Sequence, residues 1–293
     1  MNRRLVQPIA LLALAGAPAA VSAQESAPGP RSAEDAPVRW PWLKDPDAFT
    51  VQIQPRFWYT SPAGKIRLPS TTTRGDTVKI NDLGLDEPRI SPFGEIRIRA
   101  DAWRFTISGA NYNIDHAVTA GSGFQLGNVS VSPGDTVHTE YDLTVVQASV
   151  GYRFWTKDFG ADGGGEPDRT VLRLEGVGGL RVIDNEITFM GMSDSSHAAE
   201  FFAEPFVGAD AELQVARDFS IDVGFNAGAL PLGSHSTFSV DMSLAFTWRP
   251  VEAVGLQIGW RQLLFGLKTG SDAGEFSNRG SLAGLFGGLV IRF

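Results

Sequence analysis

The 293-residue sequence predicts an all-β chain: a closed antiparallel transmembrane β-barrel of about ten strands, with eight and twelve as the neighbouring even counts. Three observations lead there. From Phe49 onward, apolar and polar residues alternate in repeated runs separated by turn-rich stretches, the period of a strand with two unlike faces. The final run, Ser281 to Phe293 (SLAGLFGGLVIRF), places Ala283, Leu285, Gly287, Leu289, Ile291 and Phe293 on one uncharged face. Its other face holds Phe286, Gly288, Val290 and Arg292. Aromatic residues, finally, gather toward the two ends of the runs with aliphatic, Ala and Gly positions between, the pattern of an interfacial girdle.

The N-terminus has the layout of an export signal. Met1 to Arg4 is basic, Leu5 to Val21 is mostly apolar, and Val21-Ser22-Ala23 fits a small-residue cleavage site. Gln7, Pro8, Gly16 and Pro18 interrupt the apolar run, which argues against a spanning helix. Residues 1–23 are therefore expected to be a signal peptide. Removing them takes Arg3 and Arg4 and no acid, shifting the formal net charge from −8 to −10. An acidic chain without a basic cluster argues against nucleic-acid binding. Without any Cys the chain has neither disulfides nor thiolate chemistry. Residues 24–48, rich in Pro, Ala and acids, read as a periplasmic linker, with Trp40 and Trp42 expected at the barrel rim.

The barrel is expected over residues 49–293. In order, the outward sets are Val51, Ile53, Phe57 and Tyr59; Ile90, Ile96 and Ile98; Trp103, Phe105 and Ile107; Val146 to Phe154; and Leu172, Leu174, Leu180 and Val182. The second half adds Phe201 to Leu213, Phe219 to Phe225, Phe238 to Trp248, Val254 to Trp260, and the terminal run. That makes ten. Tight connections fall at Ala100–Ala102, Arg217-Asp218 and Arg249–Glu252. Longer loops are expected at 61–86, 115–138, 184–198, 230–236 and 269–279, with Thr156–Asp168 as a flexible insertion on the short-turn side. Trp103, Phe154, Trp155, Phe219, Trp248 and Phe293 form one expected aromatic band. Phe57, Tyr59, Tyr112, Tyr141, Phe201, Phe225 and Phe265 form the other. A soluble sandwich also alternates, but its outer face would be predominantly polar.

This pattern resembles that of bacterial outer-membrane β-barrels across Phe49 to Phe293, including alternating short turns and longer loops. The terminal strand resembles those whose closing Phe and alternating apolar positions are read by the barrel assembly machinery. The resemblance implies an outer-membrane location, contact with outer-membrane lipid, and Leu285, Leu289, Ile291 and Phe293 as the assembly signal. No motif identifies a subfamily, an extracellular partner or an oligomeric state.

The inward positions carry both signs: Arg56, Glu95, Arg97, Arg99, Arg104, Arg153, Arg173, Glu175, Arg181, Glu204, Asp210, Glu212, Asp222, Asp241 and Arg261. Early strands supply mostly Arg and later ones mostly acids, so closure sets cations opposite anions. About ten strands lie near the size whose interior side chains fill, and buried charges must pair. The first expectation is a largely plugged barrel with a structural or surface-interaction role. The alternatives are a narrow pore for small polar solutes or ions and a rim-active hydrolase. His116, His138, His197 and His235 are all expected at the outer loops. Asp115-His116, and His235 with Asp241, are the acid/base pairs that can be drawn. A ten-strand barrel resembles the omptin proteases, which use Asp pairs and an Asp-His pair, but adjacent Asp115 and His116 point to opposite strand faces. No spacing supports a metal site or cofactor.

Overall fold

The computed structural model describes residues 49–159, 170–215, 218–251 and 253–293. The chain divides into Met1–Arg39 and Trp40–Phe293, and all described residues belong to the second unit. The expected signal peptide, the linker with its Trp pair, Arg217 and most of the 156–168 insertion lie outside the described residues.

The strands are, in order, β1 (Thr50–Arg67), β2 (Val78–Lys79), β3 (Arg89–Ala100), β4 (Trp103–Thr119), β5 (Phe124–Leu126), β6 (Val129–Val131) and β7 (Thr136–Asp158). Then come β8 (Val171–Met190), β9 (Ser195–Gln214), β10 (Phe219–Leu232), β11 (His235–Val251), β12 (Val254–Thr269) and β13 (Phe276–Arg292). Leaving out β2, β5 and β6, ten strands pair antiparallel with their chain neighbours, and β13 closes the ring on β1. Gln52 stands opposite Arg292, and Arg67 opposite Ser277. Closure leaves no sheet edge in the lipid region, where an unpaired backbone would be costly. The expected count of ten and the β13–β1 seam are both present.

The strands are longer than a membrane crossing needs. β7 has 23 residues, whereas a tilted transmembrane strand uses about 9–11. Its composition changes accordingly. In the half toward the short turns, Val146, Val150, Tyr152 and Phe154 are exposed on the outward face. Beyond Val145 the phase inverts: Tyr141, Leu143 and Val145 are buried inside, while Asp142, Glu140 and His138 face outward. β8 inverts in the same way, with Leu180 outside and Arg181 inside, then Ile183, Ile187 and Phe189 inside. β4 passes from Phe105 and Ile107 outside to Tyr112 and Ile114 inside. Where lipid surrounds the wall, the outer face is apolar. Beyond it, water surrounds the wall and the apolar residues turn inward.

Five expected loops are therefore shorter than expected. Residues 61–67, 115–119, 136–138, 184–190, 195–198, 230–232, 235–236, 269 and 276–279 belong to strands that project past the belt. Their continued alternation is the signal, read in the opposite phase. The second aromatic band also needs correction. Phe57, Tyr59, Phe201 and Phe225 are exposed outward as expected, but Tyr112, Tyr141 and Phe265 are buried inside the projecting head.

In that head the ring opens into two sheets. The β3–β4 ladder ends at Phe93 and Ala110, and the β9–β10 ladder at Phe206 and Gly228. Above these points β4, β7, β8 and β9 form one sheet, and β10 to β13 with β1 form the other. Their inner faces share an apolar core. Asn278 on β13 ties them together, donating to the Tyr141 hydroxyl and to Asn185 Oδ1, both at 3.2 Å.

Candidate functional site

The lumen is the most elaborate chemical environment among the described residues, and it is built in layers. At the short-turn end, Arg99 reaches Glu175 at 2.8 Å and Glu212 at 3.3 Å. Arg104 reaches Glu175 at 2.8 Å and pairs also with Asp210, and Arg173 meets Glu212 at 3.0 Å. In the next layer Glu95 takes Arg97 at 2.6 Å and Arg56 at 3.6 Å. Arg97 also lies 4.0 Å from Asp222, across the lumen. The strand period explains the sets: Glu95, Arg97 and Arg99 are successive inward positions of β3, and Asp210 and Glu212 of β9.

Above them, Arg261 holds Asp241 through two bonds of 3.0 and 2.6 Å, the bidentate geometry that a guanidinium fork favours. Arg181, with no exposed side-chain surface, lies 3.4 Å from Glu204 and 3.5 Å from Asp241. It also donates to Gln147, Asn226 and Ser239. Gly228 makes room for this layer: a Cβ there would stand 2.9 Å from Glu204 Oε1, and the Glu204 carboxylate reaches past it from β9 to accept from Ser239 through Oε1 and from Thr237 through Oε2 on β11. Aromatic rings roof the layer. The Arg261 guanidinium lies 4.5 Å from the Phe93 ring centroid, Arg56 lies 5.0 Å from the same ring, and Arg181 lies 5.0 Å from Phe206. These are cation–π distances.

The sequence-expected lumen set is thus brought together in all but one case. Arg153 stands at the short-turn rim and donates to the Asp101 carbonyl oxygen at 3.1 Å. It keeps its place in the β7–β8 ladder opposite Glu175, and the register irregularity follows at Phe154, between Arg153 and Trp155, a bulge at the barrel rim. Between the layers lies a cavity of about 100 Å³, lined among others by Arg97, Arg104, Asp210, Asp222 and Gln257.

An apolar lid closes the outer end. The segment after β1, expected to be an extracellular loop, folds into the barrel mouth and buries Leu68, Val78, Ile80, Leu83 and Leu85. Under it lie Trp58, Tyr112, Tyr141, Phe189, Phe202 and Phe265. Burial raises the Tyr112 and Tyr141 hydroxyls well above the ordinary phenol range, so both serve as neutral hydrogen-bond groups. The lid is latched by Glu275, which accepts from Arg67 at 2.7 Å and pairs with Arg74 at 3.0 Å and Lys268 at 3.4 Å. The hairpin of β5 and β6 adds Leu126, Val129 and Val131 to the same core. Apolar residues spaced among Thr, Gly and Asp gave no strand period here, so the lid was the part of the site missed from sequence.

The four His lie at the outer ends of β4, β7, β9 and β11, near the expected loops. The drawn acid/base pairs do not form. His235 stacks on Phe202 with centroids 4.7 Å apart, while Asp241 is engaged by Arg261 and Arg181. Asp115 pairs across the β4–β7 ladder with His138, Oδ1 to Nε2 2.9 Å, and not with its neighbour His116. The donor atoms of Asp115, His138 and Glu140 lie within 4.8 Å of one another on the outward wall. Asp115 and His138 leave 61% and 37% of their side-chain surfaces exposed there.

No protein-family model matches the chain, and no curated protein matches it. Solved structures do share its outline. The Escherichia coli outer membrane protease OmpT is similar with a TM-score of 0.41 at 8% identity, over 83% of this chain and 97% of that one. Neisserial surface protein A gives 0.32 at 13% identity, over 84% and 97%. The attachment invasion locus protein Ail of Yersinia pestis gives 0.33 at 11% identity, over 83% and 99%. Scores and identities this low transfer neither activity nor ligand. The chain's own ladders and lipid belt define its class. It is a transmembrane β-barrel.

Proposed function

We propose that the protein is a bacterial outer-membrane barrel with a closed lumen, serving a structural or surface-interaction role through its projecting head. One observation supports the reading: salt-bridged layers cross the lumen, and an apolar core and lid lie above them. A conduit would need a continuous polar path, and the roof of Trp58, Phe93, Phe206 and Phe286 with Tyr112 and Tyr141 above it offers none. The 100 Å³ cavity holds only a few waters.

The pore and the rim hydrolase are the competing readings. Among the described residues, Asp115 and His138 are the one acid–His pair at hydrogen-bond distance, and they stand on an exposed wall outside the lumen, without the enclosure that strengthens a catalytic charge. The partners that fit this reading are outer-membrane lipid around the belt and the assembly machinery at β13, with no nucleic acid. The purified barrel in a planar bilayer should give no steady unitary conductance. Regular conductance steps whose ion selectivity changes in an Arg97→Gln variant would overturn the closed reading. The same preparation should migrate differently before and after boiling, as a folded membrane barrel does.

A further inference from the structure

The charges on the outside of the projecting head are segregated. The β4–β7–β8 wall carries Asp115, Glu140, Asp142, Asp184 and Glu186. On the opposite wall Lys79, Lys65 and Arg279 stand side by side on β2, β1 and β13: Lys65 is paired in register with Lys79 on one side and Arg279 on the other. All three are exposed. Like charges directly opposite each other on a ladder are destabilising. Their local counter-charge is taken, because Glu275 already serves Arg67, Arg74 and Lys268. Asp76, Asp82 and Asp272, the other acids near the row in sequence, are exposed and stand in no ion pair with it among the described residues, and Asp76 accepts from the Gln125 backbone N–H. Three adjacent cations without an ion-pair partner among the described residues call for an anion from outside.

Position says which anion. Trp260, Leu285, Tyr59 and Ile90 form one register row across β12, β13, β1 and β3 and mark the outer edge of the lipid belt on this side. Lys65 is six residues beyond Tyr59. At about 3.3 Å per residue and a tilt of about 35–45°, the row stands roughly 15 Å above that edge. An ordinary phospholipid headgroup layer is only about 5–7 Å deep, so its phosphates fall short. A taller headgroup with phosphates on sugar rings reaches the row. Between belt and row the outward residues of β1, β13 and β12 are Ser61, Ala63, Ser281, Ala283, Gln262 and Leu264, a strip of mostly small side chains with hydroxyl and amide groups that suit sugar hydroxyls.

We infer that the Lys79–Lys65–Arg279 row binds the headgroup phosphates of a phosphorylated glycolipid in the outer leaflet around the barrel. This rests on the outer-membrane reading above. Each cation contributes about fivefold to the affinity for an anionic surface, so the triple neutralisation removes a factor on the order of a hundred, and salt weakens the wild-type interaction.

The test uses the full-length barrel in phosphatidylcholine nanodiscs containing rough-type lipopolysaccharide, either intact or chemically dephosphorylated. Lipid retention is followed by native mass spectrometry. Wild-type protein should retain the phosphorylated lipid preferentially, and Lys65→Gln/Lys79→Gln/Arg279→Gln should lose that preference, while Lys157→Gln at the other rim keeps it. Equal retention of both lipids by the wild type would overturn the inference. So would full retention by the triple variant, or binding of soluble polyphosphate with no preference in the bilayer. Heat-shifted mobility of each variant reports membrane insertion separately, so loss of the site and loss of the barrel reading give different results.

Discussion

Arg261 and Asp241 show what one residue does in this lumen. Their two short bonds lie in a layer that Arg181 and Glu204 complete, so the charges sit in a closed set and not as an isolated pair. Removing Arg261 leaves the buried Asp241 with only the longer contact to Arg181 at 3.5 Å, a loss approaching the ~3–5 kcal/mol of a broken buried pair. Arg261→Met should lower stability by that amount in urea unfolding from lipid vesicles. Adding Asp241→Leu should restore most of it, because an apolar pair in place of a buried ion pair is often neutral. Glu275, in the β12–β13 connection that latches the lid, behaves differently because it lies outside the lumen. Burial alone would raise its carboxyl, but Lys268 and Arg74 outweigh burial and hold it below its ordinary value of 4.5. A group with a depressed folded pKa adds stability above its unfolded value and loses it as pH falls through the folded one. Hydrogen exchange of residues 68–85 should therefore speed up below about pH 4.5, and Glu275→Gln should remove that acid dependence.

At the scale of elements, the lid turns on Gly84. It ends the 3-10 turn at Ile80–Leu83 with φ +68°, where an L side chain is strained by roughly 1–2 kcal/mol. A Cβ there would also stand 2.4 Å from His116 Cδ2 on β4. Gly84→Ala should loosen residues 78–85 in hydrogen exchange and leave the belt strands unchanged. The closing strand offers another contrast. Leu285, Leu289 and Phe293 are exposed on the lipid face, with Ile291 on the same face, and Val290 is buried in the lumen. An acid near the membrane interface costs about 1 kcal/mol or less. If these residues also guide assembly, Ile291→Asp should reduce the amount of barrel in the outer membrane severalfold, while protein refolded into vesicles loses little stability. Equal losses in both measurements would make the face purely structural.

Taken whole, the molecule is one wall in two solvents. Where lipid surrounds it, the apolar face is outside and the charges are inside. Where water surrounds it, the faces exchange and the ring parts into two sheets around an apolar core. The same inversion explains a lumen charged below and oily above. The sequence carried much of this. Ten alternating runs, the β13 face and all but one of the lumen charges can be read from it, because period-two alternation assigns a side chain to a face without any knowledge of the partner strand. Residues 111–119 and 136–145 were legible as well, but only to a reader who let the phase invert along a strand. What alternation leaves open is which medium the apolar face meets. Lipid and a protein core reward the same side chains, so Tyr112, Tyr141 and Phe265 looked like girdle residues until the ladders placed them inside.

By itself the sequence determined the class, the strand number, the closing strand and the lumen-facing set, since each follows from local periodicity. Tertiary structure alone decided the rest. It folded the lid of Leu68 to Leu85 into the barrel mouth, paired Asp115 with His138 instead of His116, and lined up Lys79, Lys65 and Arg279. Those outcomes depend on register between strands distant in the chain. Register is set by closure of the whole ring and packing of its interior, and no single segment contains it.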